Sequence, residues 1–230
     1  MKLTKETIAV LQNFASINSG VILREGKRQT TCSPGKSVFV YADVEEEFPH
    51  QFAIYDLPQF LKVLSIFEEP ELEFIEDQNC VVVSQGSSRF TFMGTNPDMV
   101  KHTLKPFPMP SDVESIDLDI QQPLLEKILG ISNSLGLPNI CIQAENGVQK
   151  VIVTHIQEKS SNNFEFVIDE DYEGEDHNLV FSSTNLGMVK GDYTVSIVRI
   201  KKALVAHWKN KSEPLEYFVA LDVANSQSDL

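Results

Sequence analysis

Asp119-Ile120-Gln121-Gln122-Pro123-Leu124-Leu125-Glu126-Lys127-Ile128-Leu129-Gly130-Ile131-Ser132-Asn133-Ser134-Leu135 is the stretch on which the fold turns. It reads as an amphipathic helix. Pro123 falls in the first turn, where a missing N–H costs nothing, and Leu124, Leu125, Ile128, Leu129 and Leu135 form an apolar stripe. Gly136 and Pro138 end it. Downstream the period changes to that of strands, at Ile140 to Ala144, Lys150 to Ile156 and Phe164 to Ile168. Leu179-Val180-Phe181 then runs into Ser182 and a short helix closing at Lys190-Gly191. Tyr193 to Ile200, Ala203 to Trp208 and Glu216 to Val223 read as three further strands.

Upstream, the same order is already present. Thr4 to Ser16 reads as a helix capped by Thr4, with Ile8, Leu11, Phe14 and Ala15 at helical spacing. Gly20 to Leu23 and Ser37 to Val44 read as strands, with a Pro34-Gly35 turn between them. Phe52 to Tyr55 is another strand, and Asp56 caps a short helix reaching Phe67, with Pro58 in its first turn. Leu72 to Ile75, Cys80 to Val83 and Phe90 to Met93 complete the run. Pro97, Pro106, Pro108 and Pro110 then mark an extended connector. Helix, strands, short helix, strands recur on similar spacing: Tyr55 to Phe90 is 35 residues and Phe181 to Tyr217 is 36. The reading is α+β: two tandem similar domains, each with antiparallel sheets and two helices. Residues 1–110 form the first, including the connector from about 96, and 111–230 form the second.

The 42% hydrophobic and 23% charged residues are those of an ordinary globular chain that buries its own core. Cys32, Cys80 and Cys141 are odd in number and scattered, which points to a reducing compartment. The start turns polar at once, and charges interrupt every apolar run short of the ~20 residues of a membrane span. The expected place is the cytosol. Net charge is −14. On the four helices Lys2, Lys5, Lys62, Lys127 and Lys190 stand against Glu6, Asp56, Asp119 and Glu126. Five against four leaves about +1 there and roughly −15 elsewhere. Helices that are neutral to mildly basic on an acidic body suit a protein that admits DNA at its helices only, although a solvated helical face with a few lysines is the commoner source of such a count. Strand edges left unpaired at such domains invite another copy, and head-to-tail pairing closes a ring.

Met1 to Thr7 with Asn13 to Gly20 resembles the start of the sliding clamps of T-even-type bacteriophage DNA polymerases. Ala53 to Leu57, Phe60-Leu61, Pro106-Phe107-Pro108, Asp171 to Glu175 and Tyr217 to Leu221 continue the resemblance from end to end. It implies a ring-forming DNA clamp fold and a homotrimer encircling double-stranded DNA without sequence preference. It further implies a DNA polymerase held as client, an ATP-dependent clamp loader, service in late transcription, no cofactor, and action in the infected bacterial cytoplasm. Lys2, Lys5, Gln12, Asn13, Lys62, Lys127, Asn185 and Lys190 are then expected to face the DNA. Val40, Phe107, Pro108, Phe218 and Ala220 are expected to take an apolar C-terminal peptide of a partner.

Catalytic readings find little. His50, His102, His155, His177 and His207 form no HExxH or other metal spacing, and GxSxG and GxxxxGK[ST] are absent. Asp169, Asp171, Glu173 and Gly174 fit positions 1, 3, 5 and 6 of a calcium loop, but position 12 is Val180, which favours a solvated loop. The rival reading is a ring-forming viral structural or assembly scaffold that does not bind DNA. For the contact between protomers, the expectation is Ser87 to Met93 against Gln149 to Thr154.

Overall fold

The computed structural model describes residues 1–101, 107, 110, 113–158 and 160–230. The chain divides into two units, Met1–Phe107 with Pro214–Glu216, and Pro108–Glu213 with Tyr217–Leu230.

The first unit opens with α1 (Lys5–Ile17), β1 (Val21–Leu23), β2 (Gly26–Cys32), β3 (Val38–Phe48) and β4 (Phe52–Ile54). It continues with α2 (Leu57–Leu64), β5 (Glu71–Ile75), β6 (Cys80–Gln85) and β7 (Ser88–Met93). The Thr4 hydroxyl caps α1 by accepting the Thr7 N–H at 3.2 Å. The Glu46 carboxylate on β3 accepts from the Thr4 N–H and the Thr7 hydroxyl, which ties the helix start to the sheet. Leu11 and Phe14 are fully buried beneath it. At the other end of α1, the buried Asn18 amide donates to the carbonyls of Cys32 at 2.9 Å and Lys101 at 2.7 Å, and accepts the Gly20 N–H at 3.1 Å. α2 starts at Asp56, whose carboxylate accepts the Gln59 N–H at 2.8 Å, and buries Leu57, Phe60, Val63 and Leu64. β1 pairs with β4, β2 with β3, and β5, β6 and β7 form a three-stranded antiparallel sheet.

β2 departs from the expectation of a plain turn between two strands. Its residues Gln29, Thr30 and Thr31 are polar yet buried, and the Gln29 amide satisfies itself on the backbone of Arg24 and Gly26. A strand whose buried positions are polar carries no apolar alternation to read.

The second unit runs β8 (Ser115–Ile120), α3 (Gln122–Leu135), β9 (Asn139–Glu145), β10 (Val148–Thr154), β11 (Phe164–Asp169) and β12 (His177–Ser182). β13 (Tyr193–Ile200), β14 (Ala203–Asn210) and β15 (Leu215–Ala220) follow. β11, β10, β9 and β12 lie side by side in that order, as do β15, β14, β13 and β8. α3 packs on β9 and β10, burying Leu125, Ile128 and Ser132, and ends on Gly136 at φ 65°. Only glycine holds that left-handed turn cheaply. Trp208, Tyr193 and Phe181 meet edge-on in the core of this unit.

Three expectations change here. The helix starts at Gln122, not Asp119, because Ile116, Leu118 and Ile120 alternate with Ser115, Asp117 and Asp119 as a strand. The second short helix shrinks to one 3₁₀ turn, Ser183–Asn185. Ser182, Ser183, Thr184 and Asn185 compete for their own backbone, and Gly187 follows. Finally, Gln149 to Thr154 is no edge: β10 is bonded on both sides, by β9 and β11, so the free edge of that sheet is β11. Cys32, Cys80 and Cys141 are all buried, and none is in a disulfide.

Candidate nucleic-acid interface and partner surfaces

Lys5 stands exposed in the first turn of α1 and Lys62 exposed in the last turn of α2. Gln12 is exposed and Asn13 half-buried on α1. Because α1 and α2 pack on one another, the first unit brings these four residues onto one helix pair. Lys2 lies elsewhere. It precedes the helix, and its ammonium sits 3.0 Å from Glu69 and 3.9 Å from Glu71 at the β5 edge. The Glu69 hydrogen bond holds the Lys2 ammonium above its ordinary lysine range.

In the second unit Lys190 reaches the Glu126 carboxylate of α3 at 2.9 Å. Hydrogen bonds from Lys190 and then Gln122 hold that carboxyl below its usual range. Lys127 is exposed on α3 with its Nζ 4.6 Å above the Phe166 ring. Asn185 sits half-buried in the 3₁₀ turn. Lys190 and Lys127 thus both have protein partners, whereas the structure pairs neither Lys5 nor Lys62 with an acid among the described residues. Exposed ion pairs are worth little, so Lys190 remains exchangeable to a phosphate.

Tyr55, 62% exposed, is a neighbour that the sequence reading left out. It lines an open groove of about 560 Å³ with Ser19, Asp56, Pro58, Gln59 and Lys62. The signal was present: β4 ends on buried Ile54 and α2 starts on buried Leu57, so the residues between must point out.

The expected peptide-binding residues fare unevenly. Val40 is fully buried, because Val38, Val40, Ala42 and Val44 share the inner face of β3. The outer face carries Phe39 and Tyr41, and both touch Phe107. The Phe39 and Phe107 rings lie 5.3 Å apart, and the Phe107 N–H donates to the Tyr41 hydroxyl. Burial raises the Tyr41 phenol above its ordinary range. Phe218 is buried and stacks on His207 at 4.5 Å and 8°, while Ala220 is half-buried. Pro108 lies outside the described residues.

The acidic segment from Asp169 to Asp176 is the loop between β11 and β12. Asp169 accepts the Asp171 N–H at 3.0 Å, and Val180 is buried in β12. The loop leads into His177, which is 4% exposed. Its Nδ1 is 3.0 Å from the Glu175 carbonyl and its Nε2 3.4 Å from the Gln149 amide nitrogen. A neutral ring with its proton on Nδ1 suits both neighbours. Burial holds the ring's pKa below the ordinary 6.5. Protonation therefore favours the unfolded chain: this stability is intact above about pH 6.5 and is lost as pH falls through the lower folded value. Urea midpoints should drop between pH 7 and pH 5, by at most about 1.4 kcal/mol per pH unit for one proton. His177→Gln should flatten that drop; an unchanged slope would give the acid sensitivity to other groups.

Comparison with known proteins gives the chain a family. A family model described as DNA polymerase processivity factor matches residues 4–95, and one described as gp45 sliding clamp, C terminal, matches residues 117–223. The sliding clamp of Vibrio phage KVP40 is 33% identical over 225 residues, covering 96% of this chain and 99% of that one. The sliding clamp of Enterobacteria phage T4 is 30% identical over the full length of both. Among solved structures, the PCNA2-PCNA3 complex of Sulfolobus tokodaii shares the fold at TM-score 0.66 and 16% identity, covering 97% of this chain and 100% of that chain. The DNA polymerase III beta chain of Streptococcus pneumoniae does so at 0.63 and 14%, covering 100% and 65%. These likenesses set aside the scaffold reading, and the chain belongs to the phage sliding clamps, the non-catalytic processivity factors of DNA polymerase.

Proposed function

We propose that this clamp works as a closed homotrimer around duplex DNA, in the cytoplasm of an infected bacterium, after an ATP-dependent loader has opened it. The observation that carries the ring is a pair of unsatisfied strand edges. β7 and β11 have no outer partner among the described residues, and each bears exposed apolar side chains: Phe90 and Met93 on one, Phe164 and Val167 on the other. The opposite edges of the same two sheets are covered. Met1 and Leu72 exchange two 2.7 Å hydrogen bonds beside β5, and Asn178 and Gln227 exchange two of 2.8 Å beside β12. Bare edges with apolar rims are what natural sheets avoid unless something pairs with them. Pairing β7 of one copy with β11 of the next satisfies both, and the family likeness supports three copies.

Within the ring, Lys5 and Lys62, with Gln12 and Asn13 beside them and Asn185 and Lys190 in the other unit, form a sparse lining toward DNA. Sparse contacts suit sliding, because encirclement and not affinity retains the duplex. Phe107, backed by Phe39 and Tyr41, receives the apolar peptide of a polymerase, whereas Phe218 is held in the core against His207.

Light scattering over a dilution series should give a species near three times 25.8 kDa. Lys5→Ala with Lys62→Ala should keep that mass. Loader-dependent synthesis on circular templates should then fail at lower salt than wild type, since each phosphate contact steepens the salt dependence by about 0.9. A monomer at every concentration defeats the ring; unaltered salt tolerance defeats the assignment of the two lysines.

A further inference from the structure

Lys127 is exposed on α3, where the sequence led to a DNA contact being expected, yet its ammonium is already engaged. Nζ lies 4.6 Å from the Phe166 centroid, inside the range of an attractive cation–π contact. Phe166 belongs to β11, the edge strand that the ring needs. Backbone pairing holds β11 on one side only, through β10, and that ladder slips between Gln149 and Lys150. A strand held on one side at an irregular ladder is the part of a sheet that opens first.

Two lysines grip it from opposite faces. Lys150 of β10 reaches Glu165 at 3.1 Å, and Lys127 of α3 covers Phe166, the next residue along, which points to the other side of the pleat. Phe164 shares the Phe166 face, with ring centroids 5.2 Å apart, so the cation also steadies the neighbouring exposed ring. Val167 shares the Glu165 face. Both exposed apolar residues of the edge are therefore positioned by a lysine contact one residue or two away.

We propose that Lys127 is a positioning residue of the protomer interface, which acts through Phe166 to keep β11 extended for β7 of another copy, and is not primarily a DNA contact. This rests on the ring reading above. It reverses the usual inference that an exposed lysine on a clamp helix exists for phosphate. A phosphate would first have to draw the ammonium off the ring.

The test compares wild type with Lys127→Ala, Lys127→Arg, Phe166→Ala and the Lys127→Ala/Phe166→Ala pair, using dissociation on dilution followed by light scattering. Lys127→Ala should weaken each interface by about two- to five-fold. Arginine should restore it, since a guanidinium keeps the cation–π contact. The double variant should be no weaker than Phe166→Ala alone, because the lysine acts through that ring. Thermal melting at concentrations where the protein is monomeric should not change with Lys127→Ala. At concentrations that saturate assembly, DNA synthesis should keep its salt tolerance. Wild-type assembly of Lys127→Ala with lowered salt tolerance overturns the proposal and returns Lys127 to the DNA. Wild type that never assembles overturns the ring reading, and this proposal with it.

Discussion

Asn18→Ala should destabilise the first unit by about 2–3 kcal/mol, read from the urea midpoint. One amide serves three backbone groups, the carbonyls of Cys32 and Lys101 and the N–H of Gly20, at 2.7 to 3.1 Å. Alanine leaves all three without that partner, and each buried group so stranded costs about 1–3 kcal/mol. The Lys101 carbonyl sits beside an exposed residue and recovers some water, which sets the total toward the lower end. Asn18→Asp should be at least as harmful, since a carboxylate sets acceptors against two carbonyls and has no donor. The loss also has a place. Lys101 follows Val100, which is buried with Ile22 and Ala53, so Asn18 pins the chain just past that small core cluster. A loss below about 1 kcal/mol would mean that water replaces the amide.

Phe164→Glu should abolish assembly at micromolar concentrations while leaving the monomer folded, and Phe90→Glu should do the same from the other edge. Both rings are already more than a third exposed in the protomer, at 43% and 41%, so charge is tolerated there when the chain is alone. In a closed interface the substitution forfeits about 1.5–3 kcal/mol of apolar burial and must also strip water from a carboxylate. An interface weakened by at least about 100-fold is the expected result, seen as monomer by light scattering with an unchanged melting curve at high dilution. Trimers surviving in both variants would move the protomer contact to other strands.

How far the sequence foretold all this depends on which residues carried periodic information. The helix from Lys5 to Ile17 was plain because Leu11 and Phe14, both fully buried, recur at helical spacing behind a threonine cap. α3 was plain in its body and mistaken at its start, where Asp119 resembles a cap but alternates with apolar Leu118 and Ile120. β2 was invisible because its buried residues are glutamine and threonines. Val40 was nominated for a surface although it has the parity of Val38 and Ala42, which a strict two-residue count assigns to the core. The harder case is β10 against β11. Both read as strands, but whether a strand is central or marginal depends on what bonds to either side, and that belongs to the sheet, not to the strand. Exposed Phe164 and Val167 were the available hint, since an apolar residue left in water at a strand position asks for an absent partner. Partners of individual lysines lay beyond reach altogether, because Lys127 meets Phe166 across 39 positions of chain.

The three cysteines give this protein a built-in reporter of its own integrity. All are buried and outside any disulfide, and burial pushes the Cys141 thiol up to about 11. At pH 7 only about one in ten thousand such thiols is the reactive thiolate, even before its inaccessibility is counted. An alkylating dye therefore passes over the folded protein and marks only chains that have opened. A fourth cysteine placed at exposed Gln12 would stand alone in reacting, so one probe per protomer follows without removing any native thiol.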